Sequence, residues 1–355
     1  MRVGFSAPGK LVLLGEYAVL FGHPALVMAV DRRARVELAS APGRVWQVTA
    51  PGFADTSASF EIDPEGGVSW SRDSVWAADS FGLVEQVLNS LLATASVDFG
   101  ELPPVSMVLD TRAFFQPSES GSVKLGLGSS AALTVALGAG MLSWAGIDDS
   151  RVPVATRLNR MLELHRGFQG GRGSGIDLAA SLLGGVIEYG LDDHGAVRVA
   201  DSLDLPEDLH LVVLWTGRSA STGSFLERLD VQLKAGVASA VDALDELGGI
   251  AAAGIEALNS GALSTFLGAV DSFADAMERL GEAAGLQILS TEHLELGRLA
   301  RAAGAHYKPS GAGGGDVGIG FSDDPEALEM LTSNARAKGY ASLDIGVDPL
   351  GLSRS

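Results

Sequence analysis

The chain has five lysines, Lys10, Lys124, Lys234, Lys308 and Lys338, and three of them adjoin turns rich in glycine or serine. The first stands in Pro8-Gly9-Lys10. The second opens Lys124-Leu125-Gly126-Leu127-Gly128-Ser129-Ser130. The third opens Lys308-Pro309-Ser310-Gly311-Ala312-Gly313-Gly314-Gly315-Asp316. Arginine supplies every other basic side chain, so these turns keep a compact ammonium where the chain elsewhere prefers a guanidinium. An ammonium acts as a point charge for phosphate, whereas a guanidinium is a planar fork. Glycine lets a backbone approach a ligand closely and take positive φ. A helix that begins at Ser129-Ser130 presents unpaired N–H groups and a positive dipole end to an anion. Either serine can add a hydroxyl to a phosphate oxygen or a Mg²⁺ ion. The spacing is neither G-x-x-x-x-G-K-[ST] nor G-x-G-x-x-G.

The run Gly311 to Gly315 holds four glycines in five residues, which lose much backbone entropy on ordering. Such a loop is expected where the backbone folds around a ligand. A further constellation runs from His165 to Asp177, with Arg166 and Arg172 available to an anionic substrate. Asp177 follows a glycine-rich turn and precedes an apolar run. Alone it reads as a helix N-cap; beside two anion loops it reads as a group near phosphate and metal. No chemistry is assigned to His165.

Composition limits the partners. The 355 residues carry 25 basic against 44 acidic side chains, a net charge of −19. Such a surface repels a polyanion, which argues against nucleic acid. Cysteine is absent, which excludes disulfides, thiolate metal sites and cysteine nucleophiles and suits a reducing compartment. Lys10 and Glu16 interrupt the first apolar run, so no signal peptide is read and a cytoplasmic location is expected. Residues 125–147 carry no charge and are long enough to span a bilayer. Their glycines and serines instead point to a helix buried in a protein core, with no membrane partner. A monomer and a homodimer both remain open.

The elements that must position these residues are read from periodicity. Leu11–Leu14, Ala25–Val30 and Arg33–Leu38 read as short strands. A long helix follows Gly126–Gly128, and another runs from near Val152 to about His165. His210–Trp215 reads as a strand. From Ser224 to about Gly285 the pattern is helical, and one more helix covers about Ser290–Ala303. A strand at Val317–Phe321 precedes a helix that opens with Asp324-Pro325-Glu326 and stops at Gly339. A last strand lies near Ser342–Val347. Trp70, Trp76 and Phe81 read as core packing. The length suggests two α+β domains, 1–205 and 206–355, each of two layers.

In this order, the motifs resemble those of the GHMP kinase superfamily. Ser6-Ala7-Pro8-Gly9-Lys10-Leu11 with Gly15-Glu16-Tyr17-Ala18-Val19 looks like its first motif, Lys124 to Ala132 like its phosphate loop, and Lys308 to Gly318 like its third motif. Within it, the phosphomevalonate kinase branch is the most similar. Lys124 directly before Leu-Gly-Leu-Gly-Ser-Ser, Gly173-Ser174-Gly175-Ile176-Asp177-Leu178-Ala179, and Trp215-Thr216-Gly217-Arg218-Ser219-Ala220-Ser221-Thr222 carry that likeness. Ile176, Leu178 and Val317 depart from it.

The resemblance implies a ribosomal-S5-domain-2-like N-terminal half and a ferredoxin-like C-terminal half with the site between them. It implies ATP with Mg²⁺ as phosphoryl donor and a phosphorylated mevalonate as acceptor. Lys10 would stabilise the transferring group, Lys124 would hold phosphates, and Asp177 would orient Lys10 or the metal, with a base role as the alternative. Gly126, Leu127, Gly128, Ser129, Ser130 and Ala131 would cradle the triphosphate, with Ser130 as metal ligand. Ser174, Gly175, Arg218, Ser221 and Thr222 would contact substrate. Gly311, Ala312, Gly313 and Gly314 would close over the reacting groups, and Glu16 would pair with a lysine. Mevalonate kinase, another small-molecule kinase of this fold and diphosphomevalonate decarboxylase are the alternatives within the superfamily.

Overall fold

The computed structural model describes every residue except 44, 64–66, 95–101, 119–120, 168–172, 193–196, 221 and 236. The strands are β1 (Arg2–Leu14), β2 (Ala25–Ser40), β3 (Trp46–Ala50), β4 (Ala54–Ile62), β5 (Val68–Trp70), β6 (Val105–Asp110), β7 (Phe115–Ser118), β8 (Gly121–Lys124), β9 (Val186–Leu191), β10 (Val197–Leu203), β11 (His210–Trp215), β12 (His306–Pro309), β13 (Val317–Ser322), β14 (Ala341–Leu343) and β15 (Ser353–Arg354). The helices are α1 (Ala77–Ser80), α2 (Gly82–Thr94), α3 (Ser129–Trp144), α4 (Val154–Arg166), α5 (Ile176–Leu183), α6 (Thr222–Lys234), α7 (Ala238–Asn259), α8 (Leu263–Ala284), α9 (Thr291–Ala303) and α10 (Pro325–Ala337).

One large mixed sheet runs β10-β9-β2-β6-β3-β4-β5, with β1 paired to β2 and to β15. A second, antiparallel sheet runs β12-β13-β11-β14. The first takes its strands from residues before 205 and from the C-terminal tail. The second takes its strands from 210 to 343.

The short strands expected near the N-terminus are two long ones. β1 and β2 pair antiparallel from Arg2↔Ala39 to Leu14↔Leu26, with register shifts at Pro8/Gly9 and Val12/Leu14. β2 continues through Asp31-Arg32-Arg33, where charges break the apolar pattern, because the tail covers Arg33. Its guanidinium binds the carboxylate of Asp348 and donates to the carbonyls of Ser6 and Gly351. The expected strand at 342–347 ends at Leu343, and beyond it Val347 makes only an isolated bridge to Val30.

α3 accounts for the uncharged stretch. It is buried along its length except at Ser130, Leu133 and Ser143, which are half-buried. It lies against β1 and β2, so a charge on nearly any face would be stranded without water. No helix among the described residues is long and apolar enough to cross a membrane. Trp70 and Phe81 take part in packing: Phe60 lies edge-on to Trp70 at 5.2 Å, and Trp70 stacks on Phe81 at 6.2 Å. Trp76 leans on Phe81 from a half-open position.

In the second sheet Trp215 stands opposite Val317. The segment leaving β11 and the glycine loop entering β13 therefore emerge at the same end of that sheet.

Candidate active site

The site is built first by the turn before α3. Gly126 and Gly128 hold φ at 76° and 79°, and Gly128 caps α3 without a side-chain acceptor. Ser129 and Ser130 thus form the first turn of a 16-residue helix with backbone N–H groups directed outward. β1 fixes this turn from below: the Lys10 amide donates to the Leu127 carbonyl at 2.9 Å. A Cβ at Gly9 would fall 2.4 Å from that same carbonyl, so the close approach requires glycine there.

Lys10 is buried, and its ammonium lies 3.9 Å from the Asp177 carboxylate. Its stem runs beneath Gly128, and a Cβ on Gly311 would lie 3.7 Å from its Nζ. The ammonium therefore has the phosphate turn, Asp177 and the third glycine loop around it. Asp177 is not the helix cap: Gly175, at φ 81°, caps α5, and Asp177 sits in the first turn with its carboxylate toward Lys10. Ser174 is buried, and its carbonyl accepts the hydroxyl of Tyr189, which fixes the entry to α5.

Lys124 ends β8 beside the same turn. Although the residue is exposed, the protein crowded around its ammonium lowers its pKa. Asp316 and then Asp177 pull it back up, and Lys10 pushes it down. His165 lies 3.4 Å from Ser130 Oγ through Nε2, and burial lowers its pKa, favouring a neutral ring beside that hydroxyl.

The third loop behaves differently from its sequence reading. Lys308 does not face the site. It is fully buried, its Nζ lies 2.5 Å from Glu16 Oε1, and it also donates to the Pro309 carbonyl at 2.6 Å. Lys308 is therefore a structural cation rather than an anion ligand, and Glu16 is its partner. Glu16 Oε1 also accepts the Gly311 amide at 3.2 Å, which ties the start of the loop to the first motif. Ser310 Oγ accepts from the Val12 amide at 2.9 Å and donates to the Val12 carbonyl at 3.2 Å, filling the bulge in β1. Gly313 and Gly314 both take φ 75°, and the Gly314 amide donates to the Ile288 carbonyl at 2.7 Å. The Tyr17 hydroxyl donates to the Ala312 carbonyl at 2.5 Å.

Sequence reasoning gave no role to two residues that shape this region. His293 is buried, with Nδ1 2.8 Å from the Tyr307 hydroxyl and Nε2 2.8 Å from the Gly315 carbonyl. That carbonyl can only accept, so Nε2 carries the proton. Asp316 ends the loop at φ 58°, and its Oδ1 accepts the Ala220 amide at 3.0 Å. Its place at the end of a glycine run was the available signal. Arg218 reaches the same corner, but its guanidinium pairs with Glu292 at 3.2 Å and stays half-exposed. Thr222 opens α6, while Ser221 and Arg172 lie outside the described residues.

This arrangement offers two ammoniums, bare helix amides, two serine hydroxyls and two carboxylates around one turn. Such a set suits the neutralisation and alignment of phosphates.

Comparison with known proteins agrees. Residues 84–185 match the GHMP kinases N terminal domain. A phosphomevalonate kinase of Streptomyces sp. (strain CL190) is 32% identical over 378 residues, covering 97% of this chain and 96% of that protein. A mevalonate kinase of Thermococcus sibiricus is 29% identical over 234 residues, covering 64% of this chain and 62% of that protein. Among solved structures, the Streptococcus pneumoniae phosphomevalonate kinase in complex with phosphomevalonate and AMPPNP superposes with a TM-score of 0.75 at 20% identity, covering 98% of this chain and 99% of that one. On fold, motif order and full-length likeness together, the chain belongs to the GHMP kinase family.

Proposed function

We propose that this kinase transfers the γ-phosphoryl group of ATP to (R)-5-phosphomevalonate, giving 5-diphosphomevalonate and ADP. The observation that carries this reading is the placement of Lys10 beneath the turn at the open end of α3, with Lys124 ending β8 just before that turn, in a chain of net charge −19. Joining two polyanions is opposed chiefly by their mutual repulsion, which concentrated positive charge offsets. A phosphate acceptor has a second pKa near ~6 and is largely ionised at neutral pH, so it needs no strong base. That leaves Asp177 to hold the Lys10 ammonium in place. The likeness to the Streptomyces phosphomevalonate kinase spans nearly the whole chain, whereas that to the Thermococcus mevalonate kinase spans about two thirds.

The residues present fit a nucleotide with its divalent cation. The N-terminal amides of α3, with Ser129, would receive the triphosphate, and Ser130 would supply a hydroxyl to the metal. Among the described residues no three His, Asp or Glu side chains converge to cage a metal. The cation would supply charge neutralisation on the phosphate oxygens. Gly311 approaches the Lys10 ammonium, and it is proposed to close over the reacting groups with Ala312, Gly313 and Gly314. Arg218, Ser174, Ser221 and Thr222 are proposed to reach the acceptor.

Purified protein given MgATP with phosphomevalonate or mevalonate in separate reactions tests this reading. Diphosphomevalonate as product supports it. Turnover of mevalonate alone makes the chain a mevalonate kinase, and release of CO₂ from diphosphomevalonate makes it a decarboxylase.

A further inference from the structure

The glycine loop between β12 and β13 touches the site at both ends. At its start, a Cβ on Gly311 would lie 3.7 Å from Lys10 Nζ. At its end, the Asp316 side chain lies over the phosphate turn, where a Cβ on Gly126 would meet its Cγ at 2.3 Å. Between these points run Ala312 and the glycines at 313, 314 and 315, whose own backbone selects no single path. The course of the loop must be set by what it touches.

The entry to α9 holds it at two adjacent residues. The Gly314 amide donates to the Ile288 carbonyl at 2.7 Å, and the Gly315 carbonyl accepts from His293 Nε2 at 2.8 Å. Ser290 caps α9 and accepts the His293 amide at 3.4 Å, so the imidazole is carried on a fixed helix start. The ring itself has one orientation. Nε2 gives its proton to Gly315, and burial keeps the ring neutral, so Nδ1 accepts from the Tyr307 hydroxyl 2.8 Å away. Gly318 makes room for that hydroxyl, since a Cβ there would fall 2.0 Å from it. His293 and Tyr307 are both buried. A buried polar chain in which every member is paired stiffens what it touches. Here it runs from β12 through α9 to the end of the loop that lies over the phosphate turn.

We propose that His293 is a positioning residue for phosphoryl transfer: through its hydrogen bond to the Gly315 carbonyl it holds the glycine loop in register with the phosphate turn and Lys10. It acts through the loop and not on the reacting atoms. A shift of about 1 Å at such a distance from the chemistry can cost on the order of 100-fold in rate. The inference rests on the reading of this site as the one that transfers phosphate, and it holds for whichever acceptor the enzyme uses.

The wild type is first run with MgATP on phosphomevalonate and on mevalonate, and the variants are compared on the acceptor that turns over. Use of mevalonate instead overturns the acceptor assignment and leaves the comparison intact. His293→Leu removes both hydrogen bonds of the ring. His293→Gln carries an amide N–H able to reach the Gly315 carbonyl. Each variant is assayed well below its own melting temperature. For His293→Leu we expect kcat to fall about tenfold or more, with KM for MgATP within about twofold of wild type, as for alignment lost in the transition state and not in binding. His293→Gln should recover most of that loss, to within about threefold of wild type. Wild-type kcat in folded His293→Leu overturns the proposal. So do equal losses of kcat in the two variants, because the bond to Gly315 is then not what matters, and so does a rise in KM that accounts for the whole loss of kcat/KM. Where His293→Leu does not fold, Tyr307→Phe takes its place, keeping the ring and removing the donor that orients it. A fall in kcat of about threefold or more at unchanged KM then supports the proposal, and wild-type kcat overturns it.

Discussion

Lys308 and Glu16 meet at 2.5 Å with side chains 0% and 3% exposed, joining the third glycine motif to the first from opposite ends of the chain. Removing one partner leaves a charge in the interior, which costs ~3–5 kcal/mol, whereas removing both costs much less. Lys308→Met should therefore lower the urea midpoint steeply, and Lys308→Met with Glu16→Gln should recover part of the loss. Equal midpoints for wild type and Lys308→Met would show the pair to be dispensable.

Lys10 offers the opposite test. Its ammonium faces the site, and its fold contacts run through its backbone and stem. Lys10→Met should reduce kcat by at least ~100-fold, in the range seen when a group stabilising transition-state charge is removed. The melting temperature should move by only a few degrees. An unaltered kcat would refute the role given to Lys10.

Ser130 stands at the start of α3 with His165 beside its hydroxyl. Ser130→Ala should raise the Mg²⁺ concentration needed for half-maximal rate and raise KM for MgATP, with acceptor KM little changed. Titration of metal at fixed nucleotide reads this directly, and unchanged metal and nucleotide dependence would remove Ser130 from the site.

His293 links pH to the glycine loop. Burial, the largest cause, lowers its pKa from 6.5 to about 4. The unfolded chain therefore binds the extra proton first as pH falls. The stability from the neutral ring is fully present above about 6.5 and is lost progressively toward about 4. The loss by pH 5 should be on the order of 2 kcal/mol. Urea midpoints at pH 7 and pH 5 should differ clearly in wild type and much less in His293→Gln. Parallel pH slopes in the two proteins would exclude His293 as the source.

What could be read from sequence was what glycine and lysine mark locally. The turn at Gly126 to Gly128, the helix after it and Lys124 beside it follow from short-range pattern, whereas Lys10 and Asp177 are brought to that turn only by the family resemblance. Lys308 looked the same in sequence as Lys10 and Lys124, yet it faces inward, because its fate depends on Glu16, 292 residues away. Asp316 was visible at the end of the glycine run, but its value depends on a positive φ and on contacts from two other segments. The continuity of β2 across Asp31 to Arg33 depends on Asp348 and the tail, which no window of neighbouring residues contains.

Because β11 and β13 run antiparallel with Trp215 opposite Val317, the segment at 216–220 and the loop at 310–316 issue from one rim of one sheet. The helix that receives the nucleotide in our reading belongs to the other half of the chain. In our reading the donor and acceptor sides are thus mounted on separate frames. Library diversity aimed at new acceptors belongs at 217–220 on that rim, with 310–316 spared, and the mutational load there should leave nucleotide affinity nearly constant.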